Sequence, residues 1–160
     1  MSTPEPAVAI AACDAPLRAK QTGYPPAFAA RVAGRTKRAL GDFFGLTNFG
    51  VNLTCLAPGA VSSVRHAHSQ QDEFIYILAG HPVLVTDGGE TELHPGMCAG
   101  FPAGSGDAHQ LVNPGPEVVE FLEVGDRTEG DTVVYPDDDL AAVQGADGHW
   151  HYRHKDGSAY

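Results

Sequence analysis

The middle of the sequence has almost no positive charge. Between Gly41 and Asp126 the single Lys or Arg is Arg65, and the whole chain has a formal net charge of -10. Nucleic acids and anionic membrane surfaces are bound by basic faces, so we expect neither as a partner. The same shortage argues against a phosphorylated substrate, because a phosphate group needs cationic side chains to hold it.

Paired cysteines and long apolar runs are also missing. Cys13, Cys55 and Cys98 form no C-x-x-C pair, which is typical of reduced thiols in a cytoplasmic protein. The apolar run 7–12 is shorter than the apolar part of a secretory signal and follows no Lys or Arg. No segment approaches the ~20 apolar residues of a membrane span. We therefore predict a cytoplasmic protein that does not enter a membrane.

A pattern of period two is present from residue 46 onward. Apolar and polar residues alternate at 49–56, and similar short segments follow as far as 124, separated by turn sequences such as Pro95-Gly96. No stretch between Gly45 and Asp126 has a helical period. About eight short strands without an internal repeat predict one all-β domain, a barrel or a jelly roll.

The segments on either side of this pattern differ from it in composition. We predict an N-terminal arm over 1–40, a barrel over 41–127, and a C-terminal extension over 128–160 that packs on the barrel. Within the extension, 140–143 is interpreted as a short helical turn. The arm also carries a basic run, interpreted as a solvated face with the acidic tract 137–139 as its candidate partner: Arg31, Arg35, Lys37 and Arg38.

His66 and His68 give the strongest local signal for chemistry. Residues two apart on a strand point to the same face, so both imidazoles can reach one ion. Glu73 begins the next predicted strand on an otherwise apolar face, where a carboxylate is costly unless it is paired or bound to a metal. His109 follows about one strand pair later. A lone H-x-H is weak evidence for a metal site, so the surrounding residues must show whether the two histidines are ligands.

Two blocks of glycine, proline and histidine surround these residues. The first block contains Gly59, His66, His68, Glu73 and Gly80, and the second contains Gly96, Pro102, Gly104, His109 and Asn113. They resemble the two conserved motifs of the cupin superfamily, G-x5-H-x-H-x3,4-E-x6-G and G-x5-P-x-G-x2-H-x3-N. The departures are one extra residue before His66 and two before His109, in turn regions where insertions cost little.

The resemblance implies a single-domain cupin jelly-roll barrel with a metal bound inside it. The implied ligands are His66, His68, Glu73 and His109. Asp72 also fits the shorter motif spacing, but Glu73 is preferred because its distance in sequence to Gly80 is that of the motif. Three imidazoles and one carboxylate suit Fe, Mn, Ni, Co or Zn better than Ca or Mg, and a six-coordinate ion would keep two positions open.

Several functions remain open, because one fold serves many reactions. The favoured hypothesis is a metal-dependent enzyme, an oxygenase or an isomerase/lyase, that acts on a small organic molecule. Its base is unidentified, and the nearest polar candidates are Tyr76, Gln110 and Asn113. A sugar-phosphate isomerase ranks lower, because Arg65 should point away from the metal and the phosphate would have to be bound by the basic run 31–38 or by Arg153 and Lys155. The third hypothesis is a non-catalytic module that binds or senses a small ligand. Barrel edges and terminal arms also predict a homodimer.

Overall fold

The computed structural model describes residues 8–160, and most of its regular structure is short β-strands. The strands are β1 (Arg35–Ala39), β2 (Phe49–Leu56), β3 (Ala67–His68), β4 (Glu73–Ala79), β5 (Val83–Thr86), β6 (Gly89–Glu92), β7 (Cys98–Phe101), β8 (Gln110–Val112), β9 (Val119–Asp126), β10 (Thr132–Tyr135), β11 (Leu140–Gln144) and β12 (Trp150–Arg153). Two short helices, α1 (Pro26–Ala29) and α2 (Leu40–Phe43), and two 3-10 turns, Ala12–Asp14 and Ala30–Val32, precede β2. The predicted all-β class is confirmed.

The largest sheet has five antiparallel strands in the order β1-β2-β9-β4-β7. Its strands alternate as the sequence predicts, because successive side chains of a strand point to opposite faces. On β4, Ile75 and Ile77 are buried, whereas Phe74 and Tyr76 lie exposed on the outer face. The inner face of this sheet therefore supplies one wall of the interior.

A second layer faces that wall. The three-stranded sheet β6-β5-β8 packs its apolar side chains, such as Leu84 and Leu111, against Ile77 and Phe121 in one core. The four-stranded sheet β12-β11-β10-β3 continues this layer through an isolated bridge between His66 and His109. These two layers enclose the interior, which confirms the jelly-roll architecture.

The part of the chain predicted as an arm contributes a strand to the large sheet. β1 pairs along its whole length with β2, and Leu17 forms a further bridge to Arg38. Residues 1–7 of the predicted arm lie outside the described residues. The division of the chain into arm, barrel and extension stays a prediction.

The interpretation of 140–143 as a helical turn is wrong. Leu140 and Ala142 are buried and alternate with less buried neighbours along β11, which pairs with β10 and β12. Their partners in a second core cluster include Phe28 and Val133. Four residues are too few for the sequence to distinguish a period of 2.0 from one of 3.6, so long-range pairing decides the structure.

Charged residues outside the core also find partners across the chain. Arg31 Nη1 lies 2.5 Å from Asp138 Oδ1, so the basic run does meet the acidic tract within one chain. Arg65 forms ion pairs with Asp87 and Asp137, away from the interior, as the strand alternation predicts. Surface pairs of this kind add little stability each.

Membrane-spanning helices and disulfides were both predicted to be absent. Over residues 8–160 every helix falls short of the length and apolarity needed to cross a bilayer. The three cysteines, Cys13, Cys55 and Cys98, are free thiols in that part of the chain.

Candidate metal centre

The structure brings the four predicted ligands together around one carboxylate oxygen. Oε2 of Glu73 lies 2.9 Å from Nε2 of His109, 3.4 Å from Nε2 of His66 and 3.5 Å from Nε2 of His68. Donor atoms of His66, His68 and Glu73 all lie within 4.8 Å of one another. All four side chains are largely buried, with Glu73 the most exposed.

Backbone pairing fixes the positions of these side chains. His66 and His109 form a two-way bridge, in which each backbone N–H donates to the carbonyl of the other, at 3.1 and 2.8 Å. His68 follows on β3, and Glu73 is the first residue of β4. Both layers of the barrel therefore contribute donors to the same point.

The other ring nitrogens of two histidines have acceptor partners. His66 Nδ1 lies 2.9 Å from the carbonyl oxygen of Val64, and His68 Nδ1 lies 2.5 Å from Oδ2 of Asp131. A carbonyl and a carboxylate can only accept, so each Nδ1 carries the proton and each Nε2 presents a lone pair. These tautomers are the ones that ligate a metal.

His109 is held by stacking. Its ring lies on the ring of Phe101 with centroids 3.5 Å apart and an interplanar angle of 4°. Its Nδ1 is buried and has no hydrogen-bond partner among the described residues. Burial lowers the pKa of His109, although its contact with Glu73 acts in the opposite direction.

Glu73 is ionised in this environment. Burial by itself would raise the pKa of its carboxyl group, but the close contacts with the imidazole rings of His109 and His66 outweigh it and hold the pKa well below its ordinary value. Lone pairs of His66 and His68 and an anionic oxygen thus converge on one small volume. Such an arrangement of donors fits a divalent transition metal ion, whose charge removes their mutual repulsion.

The rival carboxylate, Asp72, points elsewhere. Its Oδ1 accepts a hydrogen bond from the backbone N–H of Ala103 at 2.7 Å, and its own N–H donates to Asp126 at 2.7 Å. It therefore joins neighbouring loops, and Glu73 is the carboxylate that the fold places beside the histidines.

The four side chains line a cavity of about 970 Å³ that extends from the interior of the barrel to its surface. Arg35 and Lys37, from β1, line the same cavity. The interpretation of this part of the basic run as a solvated face is therefore wrong, because both side chains lie on the inner face of β1 and Arg35 is buried. The expectation that the interior contains almost no positive charge is thus wrong. That expectation counted only residues 41–126, whereas the large sheet begins with β1.

A second carboxylate is fixed on the cavity wall, at Glu123. It accepts hydrogen bonds from the Lys37 ammonium and, at 3.0 Å, from Asn52 Nδ2. Glu123 pairs with Ile75 of β4, two residues from Glu73 on the same inner face. Glu123 is not among the residues predicted from the sequence. Its signal is the same as that of Glu73, a carboxylate on an apolar strand face, because Val119 and Phe121 lie on the same face of β9.

The three polar residues named from the sequence as candidate bases do not line the cavity. The Asn113 amide donates to the carbonyls of Leu56, Ala57 and Glu117, which fixes a turn. Tyr76 is exposed on the outer face of β4, and Gln110 is absent from the cavity lining.

The fold and the two motifs define a cupin protein. A family model described as a cupin domain matches residues 52–125. A solved structure from Silicibacter pomeroyi DSS-3, named a sugar phosphate isomerase from a cupin superfamily, is 43% identical, covers 95% of this chain and 96% of that one, and has a TM-score of 0.89. The chain belongs to the cupin superfamily.

Two further solved structures are similar over much of the chain. One, from Acidithiobacillus ferrooxidans ATCC 23270, is named a sugar phosphate isomerase only provisionally; it is 29% identical, with 79% of this chain and 80% of that one covered and a TM-score of 0.71. The polyketide cyclase RemF from Streptomyces resistomycificus is 22% identical over 74% of this chain and 78% of that one, with a TM-score of 0.61, and shares the fold. No curated protein matches.

Proposed function

We propose that the protein is a metal-dependent enzyme of the isomerase/lyase type that acts on a small organic molecule. The observation that carries this proposal is that one cavity contains both the donor cluster at Glu73 and a separate carboxylate, Glu123. His66, His68, Glu73 and His109 would hold Fe, Mn, Ni, Co or Zn. When bound, such an ion supplies Lewis acidity that polarises a carbonyl or hydroxyl oxygen of the substrate.

Glu123 is the residue that we assign to proton transfer. It takes a proton from the hydroxyl-bearing carbon next to the substrate carbonyl and returns it to the former carbonyl carbon, while the hydroxyl proton passes to the former carbonyl oxygen, so the reaction needs no oxidant. Lys37 and Asn52 donate to this carboxylate and hold its orientation. An oxygenase does not need this second carboxylate, and for that reason we favour proton transfer over oxygen chemistry.

A sugar-phosphate isomerase is the second candidate. It is supported by the name of the Silicibacter pomeroyi relative, which is similar over nearly the whole of both chains. An aldose–ketose isomerisation is itself a proton transfer next to a carbonyl, so both candidates use Glu123 in the same way. They differ in whether the substrate carries a phosphate group.

Metal content tests the first half of the proposal. We expect the purified protein to contain a transition metal and the His66→Ala/His68→Ala variant to lose it. A His81→Ala/His94→Ala variant, which removes two exposed histidines outside the cavity, should keep the metal. Equal metal content in all three proteins would overturn the assignment of the site.

Solvent exchange tests the second half. The metal-loaded protein should transfer deuterium from D2O to the carbon next to the carbonyl of a small hydroxy-aldehyde or hydroxy-ketone, measured by NMR. Glu123→Gln should abolish this exchange and retain the metal, because Glu123 is not among the predicted ligands. Exchange at an unchanged rate in Glu123→Gln would refute its role.

A further inference from the structure

The cavity contains a buried cation that no carboxylate of residues 8–160 neutralises directly. Arg35 is only 8% exposed. Its Nη1 donates to the carbonyl of Ser62 and its Nη2, at 2.8 Å, to the carbonyl of Gln21, and its Nε has no partner among residues 8–160. Buried charges are normally paired, so an unneutralised guanidinium on a cavity wall is a site that an anion would complete.

The nearby carboxylate is already shared by other donors. Glu123 accepts from Lys37 and Asn52, and Lys37 has further N–H groups available, since an ammonium carries three. Arg35 and Lys37 with one Glu123 leave one positive charge in excess.

The distance between β1, which carries Arg35 and Lys37, and the donor cluster at Glu73 limits the size of a ligand that could contact both. β1 lies three strands from β4 in the large sheet, which is roughly 14 Å at the usual strand spacing. The Lys37 side chain crosses part of that width, because its ammonium contacts Glu123 on β9, the strand next to β4. Lys37 and Glu73 line the same cavity, so a molecule bound in it can contact both.

We propose that Arg35 and Lys37 form an oxyanion subsite that holds the phosphate or carboxylate end of the substrate while its other end faces the donor cluster at Glu73. This inference rests on the proposed function for the identity of the ligand as a substrate. The anion contacts themselves depend only on the fold of β1. The guanidinium and ammonium donors bind phosphate and carboxylate oxygens by charge-assisted hydrogen bonds.

If Arg35 had a purely structural role, its replacement would weaken oxyanion binding no more than the replacement of Arg38. The two carbonyl partners of Arg35 come from separate segments, so it also ties the N-terminal segment to the barrel. Arg38 does the same from the opposite face of β1, where its guanidinium donates to the carbonyl of Ala15, and it is absent from the cavity lining. Arg38→Gln is therefore the matched control: the same strand, the same loss of charge and a similar loss of a clamp, but outside the cavity.

The test measures binding of glycerol 3-phosphate, of acetate and of uncharged glycerol by calorimetry, using the full chain. The parent protein for this test is the His66→Ala/His68→Ala variant, so that anions cannot bind through a metal. We expect an oxyanion probe to bind and glycerol not to bind. Adding Arg35→Gln or Lys37→Gln should weaken oxyanion binding at least about tenfold, and adding Arg38→Gln by no more than about twofold.

The outcomes separate the two proposals. Binding of either oxyanion that depends on Arg35 or Lys37 supports the subsite, and the preferred probe identifies phosphate or carboxylate as the group. No binding at ~10 mM probe, or equal weakening by all three substitutions, overturns it. If Arg35→Gln does not fold, Lys37→Gln and Arg35→Lys decide the result. If the wild-type protein binds no metal while the anion still binds, the proposed function fails and the subsite stands.

Discussion

Nδ1 of His68 lies 2.5 Å from Oδ2 of Asp131, a carboxylate with no solvent exposure. The other oxygen of Asp131 accepts hydrogen bonds from the backbone N–H groups of Ser69 and Gln70, and from the Ser69 hydroxyl. The carboxylate is thus fixed by the loop after β3. A fixed acceptor at Nδ1 sets both the tautomer and the orientation of the His68 ring.

Replacement of Asp131 by Asn should weaken metal binding by about 10- to 100-fold. The donors from Ser69 and Gln70 would hold the amide oxygen on their side, so the amide NH2 group would face His68 and its Nδ1 would lose the acceptor. Competition with a chelator measures the affinity. Asp147→Asn is the control, since Asp147 contacts His151 at 3.2 Å in an exposed pair. Equal affinity in the two variants would mean that Asp131 does not position the ligand.

Gly80→Ala should destabilise the protein more than Gly59→Ala. Both glycines have φ of +78°, so an added Cβ costs roughly 1–2 kcal/mol at each from the backbone conformation. At Gly80 that Cβ would also lie 2.8 Å from the Val118 carbonyl oxygen, whereas at Gly59 no atom of residues 8–160 lies within 4 Å. Overpacking adds about 1–3 kcal/mol, so urea unfolding should separate the two variants by that amount. Equal midpoints would show that the turn at Gly80 relaxes freely.

Ile77→Ala should cost about 2–5 kcal/mol in the free energy of unfolding, because Ile77 is fully buried in the main core. Val134→Ala, on a strand of the other layer, removes an apolar side chain that is 54% exposed and should cost less than about 1 kcal/mol. Denaturant unfolding of both variants checks the difference. Similar losses would contradict the inward orientation of Ile77.

The outer face of β4 is the candidate surface for a homodimer. Phe74, Tyr76 and Leu78 are 42%, 39% and 42% exposed there, and they lie in a row on one face of the strand. We propose that a second copy of the chain covers this row, because burial of contiguous apolar surface drives association. The wild-type protein should then have a mass in solution twice the 16.8 kDa of one chain.

Light scattering after size exclusion tests the dimer. Phe74→Asp/Leu78→Asp should give the monomer mass with the fold intact, whereas Val134→Asp, an exposed change outside this row, should leave the dimer unchanged. A wild-type protein that runs only as a monomer sinks the proposal.

The sequence predicts the local part of the site well. His66 and His68 face one way because they are two residues apart on an extended segment, and Glu73 is recognisable as a charge on an apolar strand face. The motif spacing then adds His109, which the fold places beside Glu73 through the bridge to His66. The use of these residues as metal ligands stays a prediction.

The rest of the site depends on pairing between distant parts of the chain. Arg35 and Lys37 reach the cavity only because β1 adds to the edge of β2, and Asp131 reaches His68 only because β10 pairs with β3. The sequence shows no period or spacing that connects these segments. For the same reason the short segment 140–143 does not show its strand character in its own sequence, since that character comes from pairing with β10 and β12.

The segment before β1 has a consequence for how far the folding unit extends. Gln21 accepts hydrogen bonds from the Lys37 backbone N–H and the Arg35 guanidinium, and the N–H of Arg18 donates to the Lys37 carbonyl. The stretch recognised by the family model begins at residue 52, inside β2. A polypeptide cut there would leave the backbone of β2 as an unpaired edge, prone to aggregation, and would open the barrel to water beside Glu123. The enclosed cavity of this protein therefore depends on residues that precede the segment matched by the family model.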